Sequence, residues 1–304
     1  VDEVGQFIAG DKNRMFNLQT LAETLNTVCG GQSWIFVTSQ ASLEAVVGRV
    51  PDQDFSRIQD RFRVKVNLDG KDVSEVIQLR LLKKKREYIS DLNQTYEREK
   101  ENIRTLFTFG DGTQTYQTIN SADEFVKTYP VIPYQYDLFQ RVMIGLSSHS
   151  AFTGQQTSVG ERSMLGVFQD VLKEMADLDE TNLASFDKMF QGIRQALRPN
   201  YLNLINLAEN NLSHQPLALK LSRALALVKH VDSFKATIQH LSILLIDEFQ
   251  VPIGEFQKQV AESLQLLEQQ TYIQRNGHLY SYLTNIEKDA ENEIKTTSNS
   301  DSDQ

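Results

Sequence analysis

The residues best suited to chemistry stand at the head of the chain, where two adjacent carboxylates, Asp2 and Glu3, lie within Val1-Asp2-Glu3-Val4. Two carboxylates closing a buried strand suit metal-assisted hydrolysis: one can hold the coordination shell of magnesium while the next orients and deprotonates a water. ATP hydrolysis needs this arrangement beside a phosphate-binding loop, so Asp2 is assigned to magnesium and Glu3 to water. The same dipeptide is also common in ordinary surface strands, and its weight comes from the residues downstream of it. Thr38-Ser39-Gln40 ends a second apolar run, and polar side chains there can bond a γ-phosphate or the attacking water, or serve as plain strand-ending residues. Arg57 and Arg61 come next, where ring-forming ATPases place guanidinium groups that reach a neighbouring subunit's nucleotide; Arg61 is the first choice, and an edge-strand surface charge is the alternative. Arg162, in Gly160-Glu161-Arg162-Ser163, opens a helix where a lid would fold over nucleotide phosphates, or is simply a solvated helix-start residue.

Other chemistries find less support. None of the five histidines is paired at metal-ligand spacing, and the lone cysteine, Cys29, has no partner for an internal bridge, which fits a reducing cytoplasm. The 304 residues carry a formal charge of −9, 40% hydrophobic and 23% charged residues. No apolar run approaches the roughly 20 residues that cross a bilayer, so no membrane partner is expected. The acidic balance argues against a surface made mainly for gripping nucleic acid but leaves a local basic groove open. Lys83-Lys84-Lys85-Arg86 is the most concentrated basic feature, either a contact for DNA phosphates or a solvated helix C-terminus.

These residues need elements to position them. Leu18, Leu21, Ala22, Leu25 and Val28 recur at helical spacing, followed by Gly30-Gly31 and the strand-like Trp34-Ile35-Phe36-Val37. With Val1–Val4 before them, the simplest reading is a βαβ crossover whose functional residues sit at the strand C-termini. Arg61 to Val66 alternates like a further strand. Residues 74–109 read as one long helix whose charge-rich middle, Tyr88 to Arg104, is a solvated, amphipathic rod; Pro130 and Pro133 interrupt the next stretch, and helix resumes from Tyr136 to Leu146. Ser147 to Gly160 reads as a mobile loop, and 183–198 as a long helix.

From Leu217 the pattern is three helices and a hairpin. Pro216 opens the first, the second follows Ala236, and the third carries the stripe Ile253, Phe256, Val260, Leu264, Leu267. Asn276-Gly277 then separates two alternating runs, a strong hairpin signal. This is the order of a winged helix. The third helix is acidic where a DNA-reading helix is basic, and Leu217–Asp289 carries seven Lys or Arg against eight Asp or Glu. Protein contact is therefore favoured over DNA, which is left only Lys235, Arg275 and His278 at the wing. The predicted class is α/β plus mostly helical: 1–70 the C-terminal portion of a P-loop core, 71–182 a helical lid, 183–294 a helical linker and winged-helix module, and 295–304 a polar disordered tail.

Taken in order, Val1-Asp2-Glu3-Val4-Gly5-Gln6-Phe7-Ile8, Asn17 to Glu23, Val37-Thr38-Ser39-Gln40, Asp54-Phe55-Ser56 with Arg61-Phe62, Tyr129-Pro130 with Pro133-Tyr134-Gln135, Gly160 to Leu165 and Ile273 to Gly277 resemble the large P-loop ATPase of bacterial BREX phage-defence systems, the BrxC/PglY family. The resemblance implies an AAA+-like, homo-oligomeric ATPase that uses ATP and Mg2+, and a role in resisting bacteriophage beside other BREX proteins that include a DNA methyltransferase. It carries over to Asp2, Glu3 and Thr38 by motif and to Arg61 and Arg162 by position. The Gly-rich loop with its lysine does not occur in these residues and is expected upstream, so this stretch reads as part of the ATPase and is expected to be inactive alone.

Overall fold

The computed structural model describes Val4, Phe7, 11–38, Phe62, Val64, Val66, 70–110, 116–153, 161–176, Leu178 and 181–290, and the described chain is mostly helical. It divides into two compact units, Val1–Leu68 and Asp69–Gln304.

In the first unit, helix α1 spans Lys12–Val28, and the Asp11 carboxylate caps it by accepting from the amides of Asn13 and Arg14. Its predicted apolar stripe is buried only at Leu18 among the described residues; Leu21 and Val28 are exposed. Gly30 and Gly31 take positive φ (57° and 79°) and turn the chain out of the helix, a conformation glycine adopts without a steric penalty. Residues 32–38 then alternate, with Ser33, Ile35 and Val37 half-buried and Trp34, Phe36 and Thr38 exposed, but they join no sheet among the described residues. Val4, expected to be the end of a strand, is helical.

In the second unit, the single rod expected over 74–109 is two helices, α2 (Gly70–Leu81) and α3 (Arg86–Leu106), hinged at 82–85. Leu82 turns into the core there, and the Lys84 ammonium donates to the Leu82 carbonyl at 2.7 Å, which satisfies an acceptor freed by the break. Helix α3 is amphipathic, as expected, with Leu92, Thr95, Glu99, Ile103 and Leu106 forming a buried stripe. Burial raises the Glu99 carboxyl, but hydrogen bonds from Asn102, Arg98 and Gln250 outweigh it and hold the group below the ordinary value.

Helix α4 (Ala122–Thr128) begins at Ser121, whose hydroxyl accepts from the Glu124 amide, while the Glu124 carboxylate reaches back to the Asn120 amide at 2.9 Å. Helix α5 (Tyr134–Ser148) follows the cis Tyr129-Pro130 bond, and α6 spans Glu161–Glu174. The stretch expected to be mobile is anchored where it is described: Ala151 and Phe152 are buried, Phe152 bridges Leu197, and the Arg198 side chain donates to the Phe152 carbonyl. The long helix expected over 183–198 is a 3-10 turn, Phe186–Lys188, and a short helix α7, Met189–Arg194. Buried Phe186, Met189, Phe190 and Ile193 pull this segment inward at the cost of regular helix length.

Helix α8 spans Pro199–Asn211, α9 Pro216–Val228, α10 Ile238–Leu245 and α11 Ile253–Gln269; strands β1 (Ile273–Asn276) and β2 (Leu279–Tyr282) pair antiparallel. Gly277, at φ 63°, makes the tight turn between the strands. Helix α9 is apolar nearly all round and lies at the centre, touching α5, α7, α8, α10, α11 and β2. The described residues of 71–182 and 183–294, expected as separate modules, share one hydrophobic core running from Val73 to Leu283.

Candidate functional site

Of the predicted nucleotide residues, Asp2, Glu3, Ser39, Gln40, Arg57 and Arg61 lie outside the described residues. Arg162 lies in the first turn of α6, and its side chain is likewise outside the described set. Thr38 is described: it is exposed, and its carbonyl accepts a hydrogen bond from the Val4 amide at 2.9 Å. Val4 is 1% exposed, so this bond joins a buried position one residue after Glu3 to the end of the second apolar run. Among the described residues, no group of three or more His, Cys, Asp or Glu side chains is placed to hold a metal ion.

The second unit offers a cleft of about 320 Å³ between α10 and the hairpin, lined by Gly110, Thr237, Ile238, Gln239, His240, Arg275, His278 and Tyr280. Thr237 caps α10, its hydroxyl accepting from the His240 amide at 3.2 Å. The His240 ring is buried, with Nδ1 2.7 Å from the Lys235 carbonyl, and it packs edge-on with Phe109 and tilted against Phe234. The hairpin is held against this floor by the Tyr280 amide, which donates to the Ala236 carbonyl at 3.0 Å. Arg275 lies at the mouth: its Nε donates to the Gly277 carbonyl, and its guanidinium lies 5.6 Å from the Tyr280 ring centre.

Two of the three predicted wing residues, Arg275 and His278, therefore come together at this cleft. Lys235 contributes its carbonyl to the His240 ring, and its side chain does not line the cleft. Thr237, Gln239 and His240 are not among the residues singled out by sequence, although a threonine three residues before His240 at the start of an apolar run is a legible helix cap. The lining is rich in donors: the remaining guanidinium nitrogens, the Gln239 side-chain amide and the Ile238 and Gln239 N–H groups of the first turn of α10, which have no intrahelical acceptor. It suits a carboxylate or carbonyl on a partner.

A second groove, about 270 Å³, lies between the end of α9 and the hairpin, with Val228, Val231, Phe234 and Leu279 as its apolar lining. Lys229 closes one side, its ammonium donating to the Tyr282 carbonyl at 2.5 Å and to the Glu287 carboxylate at 2.8 Å. The Tyr282 hydroxyl donates to the Tyr201 carbonyl at 2.6 Å, which fastens the hairpin to α8. No helix of the described residues is long and apolar enough to cross a membrane. No family model matches this chain, and no solved structure matches it.

Proposed function

We propose that this chain is part of a P-loop, AAA+-like ATPase of a bacterial BREX anti-phage system, cytoplasmic and homo-oligomeric, coupling nucleotide state to assembly with other BREX proteins, a DNA methyltransferase among them. The observation that carries this reading is the 2.9 Å bond from the Val4 amide to the Thr38 carbonyl. It supports a neighbourhood in which the Asp2-Glu3 pair and the Thr38-Ser39-Gln40 run serve one nucleotide, as hydrolysis requires of an acidic pair and a γ-phosphate sensor. Asp2 would then hold magnesium and Glu3 the water, with Thr38, Ser39 and Gln40 toward the phosphates and Arg61 or Arg57 reaching an adjoining subunit's nucleotide. ATP and Mg2+ supply the phosphoryl group and its charge neutralisation. The phosphate loop does not occur in these 304 residues and has to be contributed by another part of the assembly.

The test joins the chain to a strand, G-x-x-x-x-G-K-[ST] loop and helix. Magnesium-dependent ATP turnover is expected, with Glu3→Gln abolishing turnover while MgATP binding persists; undiminished turnover in Glu3→Gln overturns the assignment.

A second reading, a non-catalytic winged-helix adaptor, is favoured by the three helices, the fastened hairpin and the donor-lined cleft. The outward face of α11 carries Glu255, Lys258, Glu262 and Gln265, which suits protein contact better than a nucleic acid groove. Under this reading partner recovery is indifferent to ATP and is weakened by Arg275→Glu; under the first it changes with nucleotide.

A further inference from the structure

We infer that the elbow between α2 and α3 is a binding site for single-stranded nucleic acid, with Arg80, Lys83, Lys85 and Arg86 meeting phosphates and Tyr88 stacking on a base. Only residues of the second unit carry it, independently of the ATPase reading.

Residues 80–86, Arg-Leu-Leu-Lys-Lys-Lys-Arg, contain no acidic residue in a chain of net charge −9. Elsewhere on the surface Lys100, Lys127, Arg141 and Lys173 each pair with a carboxylate three or four residues away. Arg80, Lys83, Lys85 and Arg86 are all exposed and make no ion pair among the described residues. Such a cluster repels itself, and a polyanion relieves that repulsion while releasing its own counterions. The placement also opposes the local rule. Lys85 is the N-cap of α3 and makes no side-chain cap, and Arg86 follows it, although the N-terminal end of a helix disfavours cations; only Glu87 in the first turn has the favourable sign.

The elbow is fixed in place. Leu82 and Ile77 are buried beneath it, and Lys84 is tied inward to the Leu82 carbonyl, so the other cations are presented from a set backbone. Tyr88 is 52% exposed and its ring contacts no other aromatic ring among the described residues. A solvent-facing ring beside a run of cations is the pairing that single strands use, phosphates on charge and bases on the π-face. Duplex is less favoured: the cations surround a bend and do not line one face of a helix that enters a groove, and a paired base offers no free face to Tyr88.

The test titrates the whole chain into fluorescein-labelled oligothymidylate of about twenty nucleotides and follows anisotropy over a salt series. Four phosphate contacts give a log–log salt slope of about −3. Replacing Arg80, Lys83, Lys85 and Arg86 together by alanine should weaken binding at least tenfold and bring the slope close to zero, with an unchanged circular dichroism spectrum. Tyr88→Ala should weaken binding about fivefold or more at the same slope, as loss of one base stack requires. Lys127→Ala, at a surface cation paired with Asp123, should change neither. Oligouridylate binding equally identifies RNA as a source of the same chemistry and supports the site. Full affinity in the quadruple variant, an indifferent Tyr88→Ala, tighter binding to duplex, or displacement of the oligonucleotide by phosphatidylserine vesicles would each overturn the inference.

Discussion

The imidazole rings of His149 and His230 lie face to face, 4.0 Å between centres and 11° from parallel, where the end of α5 meets the residue following α9 and its C-cap Lys229. His149 Nδ1 sits 2.9 Å from the Gly145 carbonyl, and the His230 backbone packs directly against Gly145 itself. Burial, then the neighbouring His149 and Lys229, push the His230 imidazole down to about 4, against a smaller upward pull from Glu287 and Asp232.

A histidine held down in the folded state binds its proton first in the unfolded one. Stability from His230 is therefore complete above the ordinary value of 6.5 and is lost as pH falls from there toward about 4. Because His230 is only partly buried, solvent screening reduces the loss to about 1 kcal/mol. Urea midpoints at pH 7.5 and 5 should differ accordingly, and His230→Gln should flatten that difference.

Gly145 admits no side chain. A methyl group there would overlap the His230 carbonyl, which is backbone and cannot swing aside, so Gly145→Ala should cost about 2–3 kcal/mol. Gly166, in the middle of α6, would meet nothing within 4 Å, so Gly166→Ala should stabilise by about 0.5–1 kcal/mol. Thermal midpoints of the two variants should move in opposite directions.

Glu209 on α8 takes both forks of Arg194 from α7, at 2.9 and 2.6 Å, and a third bond from Arg223 on α9 at 2.8 Å. The Arg194 hydrogen bond chiefly holds its carboxyl below the ordinary 4.5, against the opposing effect of burial. Glu209→Gln should cost about 1–2 kcal/mol at pH 7. Since the carboxylate's contribution is present above 4.5 and lost as pH falls through its lowered value, the gap between variant and parent in urea should narrow below pH 4.

Lys84 is held down to about 8 by burial at the elbow. Its amine should become reactive near that pH in competitive acetylation, read by peptide mass spectrometry. Leu82→Ala, which loosens the buried side of the bend, should move this midpoint back up toward the ordinary 10.5.

The last three helices and the hairpin are readable because each carries a local mark. Pro216 opens α9, Thr237 caps α10, the 253–267 stripe keeps helical period, and Asn276-Gly277 fixes the turn. The break at 82–85 is not readable, since lysines are good helix formers and the cause is tertiary, Leu82 finding a place in the core. Likewise α11 stops at Gln269 with Gln270 as its C-cap, and the next residue, Thr271, takes φ 57° where glycine or asparagine is usual, so composition offers no stop. The cleft is half legible: Arg275 and His278 stand out as wing residues, but Gln239 and His240 reach them only through the fold. Asp2 and Glu3 stand out by residue type alone and lie outside the described residues, whereas the bond between Val4 and Thr38 could not be foreseen from their spacing.

Helix α9 has consequences for anyone who wishes to dissect the molecule. Its neighbours come from both sides of residue 182, so a segment beginning at 183 would expose the seat of α5 on α9, and one ending at 182 would lack the helix that fills its interior. Expression of either half alone should yield aggregated material, and limited proteolysis should cut at the edges of 69–290 before it cuts within. The cooperative piece is the whole of that span, and any division of labour along it has to be engineered by point substitution, with the scissors left aside.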